Sequence, residues 1–439
     1  MTTDPDAAQR RAVLVAVQLP QVSESEHRAS LRELQRLVET LGMRVTAEIS
    51  QRRKNLHPGD VLGEGRLRDL ARLTGAPPKE GEEPEEPASD KVADIVVVDH
   101  ELTPMQVRNI AAATGAAVMD RAGVIVEIFH RHASSREARL QVEMARLRYV
   151  APRLRQSAGG FDRQGGGVGA KGAGESQLEL DKRRIRDRIA EIRREIEEIE
   201  GERRMRRARR SQSNRVALVG YTNAGKSSWM RALTGSDVIV ADKLFATLDT
   251  TVRGLVPETQ PKILLSDTVG FIDKLPHDLV ASFRSTLDEA LEASLLVFVA
   301  DASDEGFRQQ LGVTRRVIGE IGAGELPSWL WLNKVDRLDE AQRAALAQEF
   351  PDARLVSARD PACVAAVHAA LVQWFNRDLP EVELLVPYDR AGAVGRIREG
   401  VTILAESYED TGIRYRIRAS AQVVDRLRAE ISGPPEPGA

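Results

Sequence analysis

Eight residues at positions 220–227 constrain this chain more than any other feature of its sequence. In order they are Gly220, Tyr221, Thr222, Asn223, Ala224, Gly225, Lys226 and Ser227. The spacing of the two glycines, the lysine and the serine is that of a phosphate-binding loop. Glycine lets backbone N–H groups curl around phosphate oxygens, and the dipole of a following helix favours their negative charge. A chance glycine turn is the alternative, but a strand-like run before the loop and helical spacing after it match the context that the motif requires.

Two side chains of this loop have a definite chemical task. We expect Lys226 to reach the β- and γ-phosphates of a nucleotide, and the Ser227 hydroxyl to ligate Mg²⁺. A nucleoside triphosphate with Mg²⁺ is therefore the predicted ligand, although the loop alone does not choose between ATP and GTP.

A second motif selects the base. The apolar run 330–332 ends in Asn333, Lys334, Val335 and Asp336, an N-K-x-D pattern. An aspartate there accepts hydrogen bonds from guanine N1–H and the N2 amino group, whereas adenine has no such pair of donors. Asn333 would brace the loop and the Lys334 stem would cover the base. Four letters alone often describe a simple turn, but behind a phosphate loop they predict GTP.

Two further segments follow the same order. The first is a strand-like run that ends in Asp267, Thr268, Val269 and Gly270, and the second ends in Ser357, Ala358 and Arg359. We expect Asp267 to hold Mg²⁺ through water and the Gly270 N–H to sense the γ-phosphate. The Ala358 N–H is expected to face guanine O6.

A threonine that senses the γ-phosphate is sought between the phosphate loop and Asp267. The candidate segment is Phe245, Ala246, Thr247, Leu248 and Asp249. We prefer Thr247, with Thr251 second, and a plain surface hydroxyl is the alternative for either. The residue after Gly270 is Phe271, which cannot hydrogen-bond a water molecule, so we expect slow intrinsic hydrolysis that a partner accelerates. Phe271 could equally be a packing residue, and no catalytic residue is named.

Composition limits the remaining possibilities. The chain has 439 residues, enough for several domains, and a net charge of only −3, so overall charge identifies no partner. Cys363 is the single cysteine, which rules out an internal disulfide and agrees with a reducing compartment. No apolar run approaches the roughly 20 residues that span a bilayer, and a soluble, cytoplasmic protein is expected.

The pattern of elements predicts an α/β protein of four parts. Residues 1–134 alternate strand-like and helix-like runs, residues 135–213 are helical, residues 214–378 hold the nucleotide motifs, and residues 379–439 predict a small α+β domain. An acidic, proline-rich insertion at 79–90 interrupts the first part.

The helical part predicts an antiparallel two-helix arm. Its second helix has apolar residues seven apart, with others between them, namely Leu178, Ile185, Ile189, Ile192, Ile196 and Ile199. The two helices are joined by the loop 159–174, which contains eight glycines and basic residues. Bare backbone and positive charge suit folded RNA. The alternatives are a flexible linker for the loop and a dimerising coiled coil for the helices, although a monomer is expected.

The run 162–175, together with the phosphate loop, resembles the HflX family of GTPases, as do 245–249, 267–271 and 275–279. The resemblance covers nearly the whole chain. It implies an N-terminal domain, a helical arm, a GTPase domain and a C-terminal domain. It further implies that the loop 159–174 contacts the large (50S) ribosomal subunit and its rRNA, that the GTP-bound protein splits stalled ribosomes, and that Thr247 is the second Mg²⁺ ligand. Thr250 and Ala173 replace prolines that are usual in the family.

Two other functions fit the same residues. One is a nucleotide-dependent RNA-binding or RNA-remodelling protein, and the other is a scaffold that holds GTP without acting on ribosomes.

Overall fold

The computed structural model of the protein describes residues 10–77, 91–154, 177–208, 214–236, 244–245, 251–274 and 290–432. The chain divides into two compact units. The first comprises Met1–Arg203, Ala241–Asp249 and Lys274–Ser285, and the second comprises Arg204–Val240, Thr250–Asp273 and Thr286–Ala439. The predicted insertion 79–90 and the predicted arm loop 159–174 lie outside the described residues.

The first unit is built on a four-stranded parallel sheet. Its strands are β1 (Arg11–Gln18), β2 (Arg44–Arg52), β3 (Ile95–Val98) and β4 (Ala117–Asp120), in the order β2-β1-β3-β4. The helices that connect or follow them are α1 (Glu24–Thr40), α2 (Glu64–Thr74), α3 (Pro104–Thr114) and α4 (Arg121–His132). β1 and β3 are continuous apolar runs because a parallel strand is covered on both faces, and both are buried.

Two long helices follow α4 in the chain, α5 (Arg136–Leu154) and α6 (Gln177–Ala208). Ion pairs join Arg136 to Glu195 and Arg188 to Glu143, so residue numbers rise along one helix as they fall along the other. The apolar seam between the helices consists of Leu140, Met144, Leu147, Ile189, Ile192, Ile196 and Ile199. The prediction of an antiparallel two-helix arm is confirmed, and four residues of the predicted stripe, Ile189, Ile192, Ile196 and Ile199, lie in the seam.

The C-terminal end of α5 is attached to the end of β4 through one buried carboxylate. Asp120 accepts hydrogen bonds from the Tyr149 hydroxyl and from Arg153 Nη2, both at 2.7 Å. It also accepts from the Leu102 backbone N–H at 3.0 Å. The Arg153 guanidinium lies over the Tyr149 ring, and burial together with the Asp120 charge raises the pKa of Tyr149. These contacts hold the C-terminal end of α5 against the end of β4.

A six-stranded sheet forms the centre of the second unit, in the order β10-β9-β8-β5-β7-β6. Its strands are β5 (Asn214–Gly220), β6 (Thr251–Gly254), β7 (Ile263–Asp267), β8 (Leu295–Asp301), β9 (Ser328–Asn333) and β10 (Arg354–Leu355). All neighbours are parallel except the edge strand β6, which runs antiparallel to β7. The associated helices are α7 (Lys226–Thr234), α8 (Phe307–Glu320), α9 (Glu340–Glu349) and α10 (Pro361–Asn376).

The C-terminal part is an antiparallel three-stranded sheet with two helices. β11 (Glu381–Val386), β13 (Gly412–Arg418) and β12 (Thr402–Glu409) lie in that order, and α11 (Ala391–Gly400) and α12 (Ala421–Ser432) supply the rest of its core. The predicted fold class is therefore confirmed in each of its parts. Across the residues that the structure covers, no helix combines the length and apolarity needed to cross a membrane.

Candidate nucleotide site

The phosphate loop connects β5, which ends at Gly220, to α7, which begins at Lys226. A Cβ atom at Gly220 would lie closer than 3.0 Å to the carbonyl oxygen of Val299 on β8. Gly225 has φ +99°, and a Cβ atom there would lie closer than 3.0 Å to Asn333 Nδ2. Both glycines of the motif are thus required by close approach of a neighbour, and Gly225 also by its backbone conformation.

Lys226 is buried within the loop that it follows. Its Nζ donates hydrogen bonds to the carbonyl oxygens of Gly220 at 3.0 Å and Tyr221 at 2.9 Å. Burial lowers the pKa of Lys226 from 10.5 to about 8, and the charge of Asp267 opposes that shift. A bound phosphate would supply the negative charge that this buried ammonium group lacks.

Two oxygen donors lie next to each other at the start of α7 and the end of β7. The Ser227 hydroxyl donates to Asp267 Oδ2 at 2.8 Å. Mg²⁺ prefers hard oxygen ligands and usually keeps several waters, so a hydroxyl and one carboxylate beside a phosphate site fit this ion. Within the described ranges, no group of three or more His, Cys, Asp or Glu side chains could hold a metal ion by itself.

The segment after β7 is hydrogen-bonded to the phosphate loop. The Thr222 N–H donates to the Phe271 carbonyl at 2.8 Å, and the Phe271 N–H donates to the Gly220 carbonyl at 3.1 Å. A Cβ atom at Gly270 would lie 2.8 Å from Thr222 Cα and 3.1 Å from Lys226 Nζ. Gly270 is therefore beside the phosphate loop, where the D-x-x-G interpretation requires it. The Phe271 side chain is buried.

Two residues of the N-K-x-D motif are hydrogen-bonded to the phosphate loop. Asn333 Nδ2 donates to the Ala224 carbonyl at 2.8 Å, and Lys334 Nζ donates to the Asn223 carbonyl at 2.8 Å. Lys334 Nζ also contacts Asp301 Oδ2 at 2.6 Å. The two motifs lie more than 100 positions apart in the sequence, and hydrogen bonds from two side chains to backbone carbonyls join them directly.

The serine of the third segment contacts the predicted guanine-binding carboxylate. Ser357 Oγ donates to Asp336 Oδ1 at 2.7 Å, and Arg359 Nη1 lies 3.8 Å from Asp336 Oδ2. The Ser357 N–H in turn contacts Cys363 Sγ at 3.4 Å. These contacts leave Asp336 only a third exposed and hold its carboxylate in one orientation.

The switch threonine remains a prediction. Ala246, Thr247, Leu248 and Asp249 lie outside the described residues. Phe245 is described and packs edge-to-face against Phe129 of the first unit, with ring centroids 4.6 Å apart. The second candidate, Thr251, begins β6 and pairs with Asp267 across the sheet.

Sequence reasoning missed three residues. Asp301 contacts Lys334, and the signal available was its position at the carboxyl end of a buried strand. Trp229 contacts Asn333, and nothing in the sequence separated it from an ordinary core residue. Lys274 follows the D-x-x-G segment but belongs to the first unit, where its Nζ donates to Ser30 Oγ and Asp99 Oδ2, both at 2.8 Å.

Comparisons with known proteins agree with this geometry. Three family models match the chain: "GTP-binding GTPase N-terminal" over 28–130, "GTP-binding GTPase Middle Region" over 132–210 and "50S ribosome-binding GTPase" over 215–334. A GTPase HflX of Gluconacetobacter diazotrophicus is 54% identical, over 96% of this chain and 98% of that protein. The chain belongs to the HflX family of GTPases.

More distant HflX proteins span the chain in the same way. Those of Caldanaerobacter subterraneus and Escherichia coli are each 36% identical, over 95% and 92% of this chain and over 93% and 92% of those proteins. Membership of the HflX family identifies the second unit's site as one that binds guanine nucleotide and hydrolyses GTP.

A solved structure of a GTP-binding protein from the archaeon Sulfolobus solfataricus in complex with GDP is also similar. It is 22% identical, with a TM-score of 0.44, over 83% of this chain and all of that one. No functional conclusion follows from a likeness of this size.

Proposed function

We propose that this GTPase is a nucleotide-dependent switch that binds the large (50S) ribosomal subunit and dissociates stalled 70S ribosomes. The observation that carries the proposal is the antiparallel pairing of α5 and α6. Because of that pairing, Leu154 and Gln177 are at the same end of the arm, and the sequence between these two residues is rich in glycine and basic residues. A target rich in phosphate, such as rRNA, fits the composition of that segment.

In the nucleotide site, each motif has one task. Lys226 binds the β- and γ-phosphates, Asp336 binds the guanine edge, and Asn333 and Lys334 brace the base-binding loop against the phosphate loop. The loop N–H groups and the start of α7 neutralise phosphate charge. The Gly270 N–H senses the γ-phosphate, and the Ala358 N–H faces guanine O6.

Ser227 and Asp267 are the residues that would hold Mg²⁺, directly and through water respectively. When bound, Mg²⁺ neutralises phosphate charge that develops during hydrolysis. Thr247 is proposed as the second direct ligand, on the resemblance of 245–249 to the family. The cytoplasm is the proposed location, since the proposed target is the ribosome.

The proposed function assigns a role to parts of a chain that is divided after residues 134, 213 and 378. In it, residues 135–213 deliver the loop 159–174 to the ribosome as an arm, residues 214–378 read the nucleotide, and the chain acts as a monomer. Light scattering of the nucleotide-free and GDP-bound protein tests the last point, because a dimer built through the arm would double the mass.

The decisive experiment compares GTP hydrolysis with and without purified 50S subunits. The test variant lacks residues 165–169, and the matched control is Gly201→Ala, on α6, where a Cβ atom meets no other atom within 4 Å. We expect 50S subunits to accelerate the native protein and the control but not the deletion variant. A hydrolysis rate that is indifferent to 50S subunits contradicts the ribosomal proposal.

A sedimentation experiment tests the switch itself. We expect 70S ribosomes to separate into subunits when the protein carries a non-hydrolysable GTP analogue, and to stay intact when it carries GDP. Lys226→Ala should abolish splitting, because phosphate binding is lost. Splitting that persists in Lys226→Ala would instead favour a scaffold whose ribosome binding ignores the nucleotide.

A further inference from the structure

One buried contact in the second unit has no part in the roles given above. Trp229 lies on α7, three residues after Lys226, and is fully buried. Its indole Nε1–H donates a hydrogen bond to Asn333 Oδ1 at 3.0 Å. The bond therefore joins the helix that follows the phosphate loop to the asparagine of the N-K-x-D motif.

The chemistry of the two groups fixes the orientation of the Asn333 amide. An indole N–H can only donate, whereas a carboxamide has one accepting oxygen and one donating nitrogen. With Oδ1 held towards Trp229, Nδ2 must face the Ala224 carbonyl, to which it donates at 2.8 Å. A rotated amide would set donor against donor at Trp229 and acceptor against acceptor at Ala224. Both mismatches would be buried and hence costly.

Packing leaves the amide little room to respond in any other way. The amide lies directly against Gly225, where even one added carbon atom would meet Nδ2. Trp229 is held in turn by Trp331, with ring centroids 5.0 Å apart and an angle of 57° between the planes. Both indoles are fully buried. The ring position that aims the Trp229 N–H at Asn333 is therefore set by the core of the unit.

We propose that Trp229 is a positioning residue for guanine nucleotide binding. By fixing the Asn333 amide, it ties the base-binding loop to the phosphate loop, and both loops must hold the same nucleotide. Loss of the indole N–H should loosen this connection and accelerate nucleotide release, without changing hydrolysis at saturating GTP. The inference rests on the proposed roles of the N-K-x-D residues.

The adjacent indole offers a matched control. Trp331 Nε1 is buried and makes no hydrogen bond to any described residue. Trp331→Phe therefore removes a similar volume from the same cluster, with no loss of a hydrogen bond, whereas Trp229→Phe removes the bond to Asn333. Both variants should lower the thermal unfolding midpoint, so that readout alone does not distinguish packing from positioning.

The test is the dissociation rate of fluorescent N-methylanthraniloyl-GDP, chased with excess GDP in a stopped-flow instrument. Trp229→Phe should raise this rate about tenfold, as expected when one buried hydrogen-bonding group loses its partner. Trp331→Phe should leave it within about twofold, a change that corresponds to well under one hydrogen bond. For Trp229→Phe, KM for GTP should rise while kcat stays unchanged.

Equal acceleration by the two variants would overturn the proposal, because loss of packing alone would then explain both. If Trp229→Phe does not fold, benzothienylalanine at position 229 keeps the shape of the indole and replaces N–H by sulfur, and the same increase is expected. A normal dissociation rate in that protein would also overturn the proposal. Asp336→Asn serves as the reference: if it leaves GDP release unchanged, the base-site assignment fails, whatever Trp229 does.

Discussion

Alanine substitutions at the two ends of α7 test how closely the base-binding loop packs against the phosphate loop. Gly225 and Gly235 flank this helix with φ values of +99° and +61°. Each lies in the left-handed region, where an L residue costs about 1–2 kcal/mol. The surroundings differ: a Cβ atom at Gly235 meets nothing within 4 Å, whereas one at Gly225 would lie closer than 3.0 Å to Asn333 Nδ2.

The expected magnitudes follow from this difference. To reach an ordinary separation of about 3.5–4.0 Å, the Asn333 amide must move by more than about 0.5 Å. Such a movement strains its two buried hydrogen bonds, and each partner left unsatisfied costs about 1–3 kcal/mol. Together with the backbone cost, Gly225→Ala should lose about 3–8 kcal/mol in the free energy of unfolding, against about 1–2 kcal/mol for Gly235→Ala.

Urea unfolding with and without GDP measures the free energy of unfolding of each variant. Calorimetric titration with GDP measures its affinity for the nucleotide. Gly235→Ala should bind GDP like the native protein, because no nucleotide residue moves. Gly225→Ala should bind GDP at least about tenfold more weakly, since one hydrogen bond's worth of free energy is a tenfold change in affinity. If the two variants lose the same stability and bind GDP equally well, the proposed packing of Asn333 against the loop is wrong.

Three further predictions concern single groups. Because the pKa of Lys226 is about 8 in the fold and 10.5 in the unfolded chain, the unfolded chain binds more protons between these pH values. The free energy of unfolding of the nucleotide-free protein should therefore rise from pH 8 to pH 10.5, by up to about 3 kcal/mol relative to Lys226→Met. Urea unfolding measures this difference between the two proteins. A difference that does not change with pH contradicts the burial argument. Asp336→Asn should weaken GDP binding by about 10²–10⁴-fold, which is the value of two charged hydrogen bonds. It should also strengthen binding of xanthosine diphosphate, because the C2 carbonyl of xanthine accepts a hydrogen bond from an amide. Competition titration measures both affinities, and an unchanged preference for guanine refutes the role of Asp336. Asp120→Ala should lower the free energy of unfolding, measured with urea, by about 3–5 kcal/mol, because Arg153 loses its buried partner. Tyr149→Phe should lower it by about 1 kcal/mol, and neither substitution should change GDP affinity. A similar small loss of stability in both variants would show that Asp120 does not anchor the arm.

Much of the fold was predictable because its signals are local. The glycines of the phosphate loop are expected from the motif, which needs bare backbone around phosphate oxygens, and the isoleucines of α6 that line the seam follow from helical periodicity. The α+β character of the C-terminal part was likewise predictable from strand-like runs around a turn. The nucleotide site was predicted to bind GTP because its motifs follow one another in a fixed order along the chain.

Other features could not be read from the sequence. Phe245 and Lys274 lie in stretches that carry nucleotide motifs, yet both belong to the first unit, where they meet Phe129 and Asp99. Asp120 holds the arm through Arg153, 33 residues away. No periodicity or composition distinguishes these side chains from other surface or core residues.

The sequence by itself determined which residues can bind a guanine nucleotide, since the chemistry of that ligand is met by short runs of neighbouring residues. Only the tertiary structure decided how those runs are joined. Trp229 and Asn333 are 104 positions apart, and they meet because β9 lies two strands from β5 in a parallel sheet whose carboxyl ends share one edge. A hydrogen bond needs a distance of about 3 Å and a defined angle, and strand order, not sequence spacing, brings such distant groups into that range.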